Sequence, residues 1–307
     1  MSAPSTFTAK KIAVTFALGQ GTFGTSGFDT LKISSAAGQP GPRVSVQIAQ
    51  AGGDAKGMLN LRMYGLTLSQ MNQLSRVGRS LNFGQRQNLV LVEAGDDVVG
   101  LAQIYRGSIS VGWADPSEAP SVGFIVEAQA GWWEALAPVQ ANSWQGSLSV
   151  DTICRTLALQ MNLTYQNWGV ETILVDPNLP GNGWQQFRSV LRAADAEGAI
   201  DNGALVIWPK GGSRGGQVPT IGPSNIAVGY PRYNATGIAL RTLFNPAINL
   251  GGQINVQSSL DAATGPWVVN TLGHSLEAQR PGGDWYSTME CSRPGNFVIQ
   301  GGGSAAP

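Results

Sequence analysis

Short apolar runs that alternate with polar residues and stop at turn residues limit what this chain can fold into. A hydrophobic period of two is typical of half-buried β-strands, and Gly, Asn or Asp at the breaks favours turns. In the first part of the chain the runs are VSVQIAQ (44–50), LNLRMYGL (59–66), NLVLVEAG (88–95), GLAQIYRGSISVGW (100–113) and VGFIVEAQA (122–130). The pattern predicts a β domain over residues 1–130. IAVTFAL (12–18) is too short for a signal peptide, and GQGTFG after it offers no convincing small-residue cleavage site. We therefore expect this run to be the first strand.

A short helix is predicted inside this β domain. Leu68, Met71 and Leu74 are spaced as the apolar face of a helix. Thr67 is a favoured N-cap residue, and Gly78 is a favoured residue just after a helix end.

Residues 131–212 have a different pattern, which predicts a small α+β domain. One helix is expected after the starting signals Ser149 and Asp151, with the apolar residues Ile153, Leu157, Leu159 and Met161. Strands are expected in LTYQN and ETILV, and a second helix is expected to bury Trp184, Phe187, Val190 and Leu191. Asn202-Gly203 is a strong signal for a two-residue hairpin turn.

Residues 213–307 return to the strand pattern. The clearest part is a strand in WVVNTLGHSLEAQ (267–279), a turn in RPGGD (280–284) and a return strand in WYSTMEC (285–291). We expect the glycine-rich tail to fray after Ile299. The residues alone therefore predict a mainly β chain with an α+β insertion between two β regions.

The composition narrows the class of function. Of the 307 residues, 41 are glycine and only 12% are charged, and the formal net charge is zero. Phosphate affinity comes from an excess of Lys and Arg, so a nucleic-acid-binding protein is not expected. No apolar run approaches the roughly 18 residues of a membrane helix, so no membrane anchor is expected. Low charge with many glycines favours turn-rich β structure whose surfaces are covered by partners.

Two glycine-rich motifs resemble phosphate-binding loops. GQGTFG (19–24) satisfies G-x-G-x-x-G, but no helix pattern begins inside it and residues 30–53 contain no carboxylate to bind a ribose. GGSRGG (211–216), next to Lys210, lacks the Walker order of residues and is expected to be a flexible surface loop. We therefore predict no nucleotide cofactor.

Candidate catalytic groups are few. His274 is the only histidine, and Ser275 beside it would point to the opposite face of a strand, so a packed or hydrogen-bonded histidine is expected. Cys154 and Cys291 have no metal-ligand spacing, and we expect two free thiols. Tryptophans such as Trp144 and Trp208 favour core or interface roles over sugar platforms.

The carboxylates form no acid and base pair in the sequence. Asp96-Asp97 is expected in a turn between two strands, while Asp195 and Glu197 are expected two residues apart on a helix and on different faces. The remaining candidates are scattered, as in Glu134, Glu171 and Asp176. We predict no catalytic residue, no metal site and no enzymatic activity.

Long ordered blocks of the sequence resemble a known family. They are MYGLTLSQMNQLS (63–75), LVEAGDD (91–97), IYRGSISVGWADPSEAPSVGFIVEAQAGWW (104–133), AIDNGALVIWPKGG (199–212), VGYPRYNATGIALRTLFNPAINLGGQINVQSS (228–259) and HSLEAQRPGGDW (274–285). Over about residues 10–291 the chain is similar to the baseplate hub proteins of contractile-tailed bacteriophages. That family is related to the late control protein D group and to the base of the valine-glycine-repeat spike proteins of type VI secretion.

The resemblance implies a fold, partners and a location. Family hubs are homotrimers in which each subunit supplies two tube-like antiparallel β-barrel domains, here 1–130 and 213–307, on either side of the α+β domain 131–212. The resulting pseudo-sixfold ring joins the hexameric tail tube to the trimeric spike. Expected partners are the tail tube protein, the spike or tip protein, and the baseplate wedge and tape-measure proteins. The expected location is the virion tail baseplate, after assembly in the host cytoplasm.

The trimer and partner interface is expected to include apolar residues of GWWEALAPVQANSWQG (131–146) and LFNPAINLGG (243–252). The candidates are Trp132, Trp133, Leu243, Phe244, Ile248 and Leu250. Two other functions stay open on the sequence alone: a peptidoglycan hydrolase, which needs a pair of carboxylates, and a carbohydrate-binding module, which needs exposed tryptophans.

Overall fold

The computed structural model describes residues 9–23, 29–34, 41–52, 55–75, 87–224 and 226–295. The strands of the first β region are β1 (Lys10–Ala17), β2 (Thr30–Ile33), β3 (Val44–Ala51), β4 (Met58–Tyr64), β5 (Leu89–Asp96), β6 (Gly100–Asp115) and β7 (Gly123–Gln129). Buried and exposed side chains alternate along β3 and β4, as the hydrophobic period of two predicts.

The predicted first helix is α1 (Leu68–Leu74), and it is shorter than its sequence signals suggest. Thr67 is the N-cap and forms a reciprocal capping box with Gln70. Met71 and Leu74 are buried, but Leu68 is 70% exposed, so its assignment to the buried face was wrong. The helix ends at Leu74, and Gly78 lies outside the described residues.

The middle region contains the predicted α+β elements and one helix that the sequence did not suggest. The helices are α2 (Trp132–Leu136), α3 (Val150–Gln160) and α4 (Gly183–Ala194). The strands are β8 (Asn142–Ser143), β9 (Ser147–Ser149), β10 (Thr164–Asn167), β11 (Ile173–Val175), β12 (Asn178–Leu179), β13 (Ala196–Asp201) and β14 (Ala204–Pro209). Leu159 on α3 was expected to be buried and is 74% exposed.

The Asn202-Gly203 turn is confirmed. It connects the antiparallel strands β13 and β14, and both residues have positive φ angles, 51° and 83°. This is the conformation that a two-residue turn needs to match the twist of its strands. The hairpin is extended by β10, which pairs in parallel with β14.

The third region is again built of strands. These are β15 (Thr220–Ile221), β16 (Arg232–Asn234), β17 (Gly237–Leu243), β18 (Gln253–Val256), β19 (Gly265–Ala278) and β20 (Trp285–Ser292). The predicted hairpin of β19 and β20 is confirmed. The tail after Ile299 lies outside the described residues.

The two β regions are joined in one sheet. Its strand order is β16-β17-β20-β19-β3-β4-β7-β6-β5-β1-β2, with β18 on β19 and β15 on β18. The connection is the antiparallel pair of β3 and β19, whose register runs from Val44 opposite Ala278 to Ala51 opposite Thr271. The mainly β fold with a small α insertion is therefore confirmed. The two expected barrels are not separate sheets, and the boundaries 1–130, 131–212 and 213–307 stay a prediction.

The hydrophobic cores interlock across this junction. Each region has a cluster of its own, but the first cluster also contains Phe244, Leu276, Ala278 and Trp285 from the third region. The ring of Phe244 packs edge-on against Trp285, with ring centroids 5.6 Å apart. The third region therefore completes the core of the first.

A buried ion pair ties the α+β hairpin to both β regions. The Arg214 guanidinium lies 2.7 Å from the Asp201 carboxylate, and the two side chains are 11% and 8% exposed. The other carboxylate oxygen of Asp201 accepts a hydrogen bond from Gln50 on β3, and Arg214 donates to the Leu250 carbonyl. One carboxylate of the α+β region thus contacts groups from both β regions.

His274 lies at the same junction as a neutral, packed side chain. Its Nδ1 is 2.9 Å from the Ser287 hydroxyl, and its ring is T-shaped against Phe244 at 5.5 Å. Burial lowers the pKa of His274 from 6.5 to about 4. Ser275 instead donates to Asp284, as expected from strand alternation. The prediction of a packed, hydrogen-bonded histidine is confirmed.

Replacement of Asp201 by Asn tests the importance of the buried ion pair. Asp201→Asn leaves Arg214 buried without a countercharge, and we expect a loss of about 3 kcal/mol in the free energy of unfolding, measured with urea. Asp195→Asn is the matched control, because the Asp195–Lys210 pair is exposed and its loss costs less than about 1 kcal/mol. Equal losses in the two variants would contradict a special role for the buried pair.

Comparison of the wild type with the variant His274→Asn at two pH values tests whether the buried imidazole is neutral. A lowered folded-state pKa means that the unfolded chain takes up the proton first, so stability present above pH 6.5 is lost as the pH falls to about 4. The wild type should therefore lose about 3 kcal/mol relative to His274→Asn between pH 7 and pH 4, measured by urea unfolding. A difference that does not change with pH would show that His274 ionises freely in the folded chain.

Candidate functional site

The reactive side chains of the described residues do not form a catalytic arrangement. His274 contacts a serine hydroxyl and aromatic rings and has no carboxylate behind it in the described structure. Both cysteines are free, as predicted, and both are buried; burial raises the pKa of the Cys154 thiol to about 12 and that of Cys291 further. Neither thiol is therefore a thiolate at neutral pH.

The carboxylates are engaged in structural contacts. Asp96 accepts hydrogen bonds from the amides of Val98 and Val99, which fixes the turn after β5, and Asp97 pairs with Lys11. The described residues contain no group of three or more His, Cys, Asp or Glu that could hold a metal ion.

Asp195 and Glu197 do not lie on one helix, contrary to the prediction. Helix α4 ends at Ala194, Asp195 caps it in the left-handed conformation, and Glu197 is already on β13. Asp195 pairs with Lys210, whereas Glu197 accepts a hydrogen bond from the Trp208 indole at 3.0 Å. Burial raises the pKa of Glu197, but the indole contact makes it part of the hairpin packing.

The glycine-rich segment after β14 is also structural. Arg214, expected in a flexible surface loop, is buried against Asp201, and its amide donates to the Gly251 carbonyl. Gly251 has a φ of +72°, and a side chain there would meet the Trp208 ring at 2.9 Å. Trp208 is 1% exposed, which excludes it as a sugar platform.

The six interface candidates divide into two groups. Phe244, Ile248 and Leu250 are 8%, 2% and 4% exposed and belong to the chain's own cores, so they leave almost no surface for a partner. They looked like interface residues because apolar core and interface residues have the same composition. Those that keep partly exposed side chains are Trp132, Trp133 and Leu243.

A broad groove lies on the outward face of the joined sheet. It has a volume of about 950 Å³, and its lining includes the small residues Ala49, Gly273 and Thr288. Tyr230 and Arg232 also line it. The alternation of the sequence predicts which residues face outward, but the groove depends on the pairing of β3 with β19, which no local pattern reveals.

A smaller and more polar pocket of about 290 Å³ lies at one end of β3 and β4. The guanidinium groups of Arg43 and Arg62 flank the Tyr64 ring at 4.8 and 5.8 Å. Arg62 also pairs with Asp115 and Glu118. The charges in this pocket largely compensate one another, so it is a rigid polar surface rather than a strong anion site.

Within the described ranges no helix combines the length and hydropathy that crossing a membrane requires.

Solved structures with a similar fold are tail and secretion proteins. The 43 kDa tail protein of prophage MuSo2 from Shewanella oneidensis has a TM-score of 0.60 at 10% identity, covering 93% of this chain and 97% of that one. A tail protein from Neisseria meningitidis MC58 has a TM-score of 0.59 at 10% identity, covering 93% and 98%.

A third similar structure is the E. coli c3393 protein, with a TM-score of 0.53 at 10% identity, covering 86% of this chain and 76% of that one. It is a component of the type VI secretion system that is structurally similar to the T4 tail proteins gp27 and gp5. At these identities the likeness shows the fold alone. No curated protein sequence matches the chain.

The model of one protein family, baseplate hub gp41, matches residues 42–291. This range contains the β3–β19 junction, the α+β region and the β19–β20 hairpin. Because the match spans most of the sequence, the chain belongs to the baseplate hub gp41 family of phage tail structural proteins.

Proposed function

We propose that the chain forms a homotrimer that joins the hexameric tail tube to the trimeric central spike. The observation that supports this most is the β3–β19 pair, which joins two β regions of one chain in a single sheet within a family of baseplate hubs. Three chains with two such regions each supply six β units in a threefold assembly. A ring of this kind matches sixfold symmetry on one side and threefold symmetry on the other.

The edges of the sheet support assembly into a ring. Among the described strands, the path through the sheet ends at β2 on one side and at β16 on the other. Unpaired strand edges associate with other chains unless they are covered, and ring closure covers them. The low content of charged residues, 12%, also suits a subunit enclosed by partners.

The proposed partners are the tail tube protein, the spike or tip protein, and the baseplate wedge and tape-measure proteins. The proposed location is the tail baseplate of the virion, reached after assembly in the host cytoplasm. The protein acts there through contact surfaces and not through catalysis, because its histidine, cysteines and central carboxylates are used in packing and hydrogen bonds.

The mass of the purified chain in solution tests the trimer. Light scattering or native mass spectrometry should give three times the 32.1 kDa chain mass, alone or after addition of the tube and spike proteins. A chain that stays monomeric and binds neither protein contradicts the adaptor function.

Substitution of a partly exposed tryptophan tests the proposed interface. Trp132→Ser should shift the assembly towards monomer, because loss of a buried aromatic anchor typically costs about 2 kcal/mol or more at an interface. Trp168→Ser is the matched control, since Trp168 is 38% exposed and was not assigned to the interface. The measurement is sedimentation velocity over a dilution series. Identical assembly of both variants would remove Trp132 from the interface.

A further inference from the structure

The β9–β11 ribbon of the α+β region has a strand edge, that of β11, without a partner strand among the described residues. Strand β11 pairs only with β9 in the described structure, with Ile173 opposite Ser149 and Val175 opposite Ser147. The amide of Val150 donates to the Thr172 carbonyl, and that of Asp176 donates to the Gly146 carbonyl.

These bonds fix which backbone groups of β11 are free. In an antiparallel pair, hydrogen-bonded positions alternate with positions whose N–H and C=O point away from the partner strand. Thr172 and Asp176 bond to the β9 side, so Leu174 between them does as well. The N–H and C=O groups of Ile173 and Val175 therefore point outward, and no described residue bonds to them.

The side chains at the same two positions are exposed and apolar. Ile173 is 61% exposed and Val175 is 70% exposed, whereas Leu174 on the opposite face packs against the α+β core. Natural edge strands are protected from pairing by short length, charged side chains, a proline or a bulge. Strand β11 is short, but Ile173–Val175 contains no charged residue, proline or bulge. The strand instead presents what an added strand recognises, which is free backbone groups and β-branched side chains.

The charge around this edge indicates the chemistry of the partner. Glu171 and Asp176 are exposed on either side of β11, and neither has an ion-pair partner among the described residues. Asp176 also accepts a hydrogen bond from the Gly146 amide at 2.6 Å, which holds the ribbon in place. Complementary basic residues would pair with these carboxylates from both ends of an added strand.

The charges beside the edge favour a different protein over the β11 strand of a second copy, because two copies of β11 side by side would bring like carboxylates together. A stable interface covers about 800 Å² on each partner, far more than a three-residue edge offers. The edge therefore suits a short segment of a protein that is also held by other contacts. We propose that β11 binds an extended segment of a different protein, apolar in its centre and basic at both ends, as a third strand of the β9–β11 ribbon. Binding of such a segment does not depend on the trimer.

Titration of the full-length, ¹⁵N-labelled chain with a capped peptide of sequence RVTITVR tests the proposal. The amide signals of Ile173 and Val175 should shift and become protected from hydrogen exchange as the peptide binds. The charge-reversed peptide EVTITVE is the matched control, and it should bind about tenfold more weakly because of Glu171 and Asp176.

Variants of the chain distinguish binding at the β11 edge from binding elsewhere on the surface. Val175→Pro removes an outward N–H that has no internal partner, and it should abolish binding without loss of the folded spectrum. Glu171→Gln combined with Asp176→Asn removes both charges but keeps a side-chain oxygen that can accept the Gly146 amide, and it should weaken RVTITVR binding about threefold. Leu159→Ser, at another exposed apolar residue of the same region, should have no effect.

Three results of the peptide titrations would overturn the proposal. They are binding of RVTITVR that does not perturb Ile173 and Val175, equal binding of the two peptides, and no binding at millimolar peptide concentration. Dimers of the unmodified chain that are absent in Val175→Pro would also overturn it, because the occupant of the edge would then be a second copy.

A chain that forms no trimer but still binds the peptide would contradict only the proposed hub function.

Discussion

The pairing of β3 with β19 is the interaction on which the rest of the structure depends. It joins strands that are more than 200 residues apart in sequence, from Val44 opposite Ala278 to Ala51 opposite Thr271. Strand β19 also pairs with β18 and with β20 of the third region, so this one strand belongs to both β regions. The outward groove, the shared core around Phe244 and the position of the Asp201–Arg214 pair all follow from this single connection.

The local elements of the fold could be predicted because their signals are local. Asn202-Gly203 forms a hairpin since both residues tolerate the positive φ that the turn requires, and Thr67 caps a helix through its own side chain. The helix α2 was missed because five residues are too few to show a helical period. The long-range pairing of β3 with β19 leaves no local trace, so the joined sheet could not be derived from alternation.

The candidate site was harder to predict, because burial depends on tertiary structure. Leu250 and Leu159 are both apolar, yet the first is 4% exposed and the second 74% exposed. The error at Asp195 and Glu197 has a similar cause. The helix pattern continues through Asp195, but this residue adopts the left-handed conformation and ends the helix, and β13 begins at the next residue. The packing of His274 was predictable, because strand alternation places its neighbour Ser275 on the opposite face.

Rigid connections between the regions explain how such a chain can act through its surfaces. The Asp201 carboxylate contacts Gln50 on β3 and Arg214 in the segment after β14, and Arg214 in turn donates to the Leu250 carbonyl. A displacement of one region would therefore break a buried charged contact. Breaking such a contact is far more costly than breaking an exposed ion pair. The relative positions of the sheet face, its edges and the β9–β11 ribbon are therefore fixed within one chain. A baseplate component needs this property, because contacts with several partners can form together only if the surfaces that make them keep their spacing.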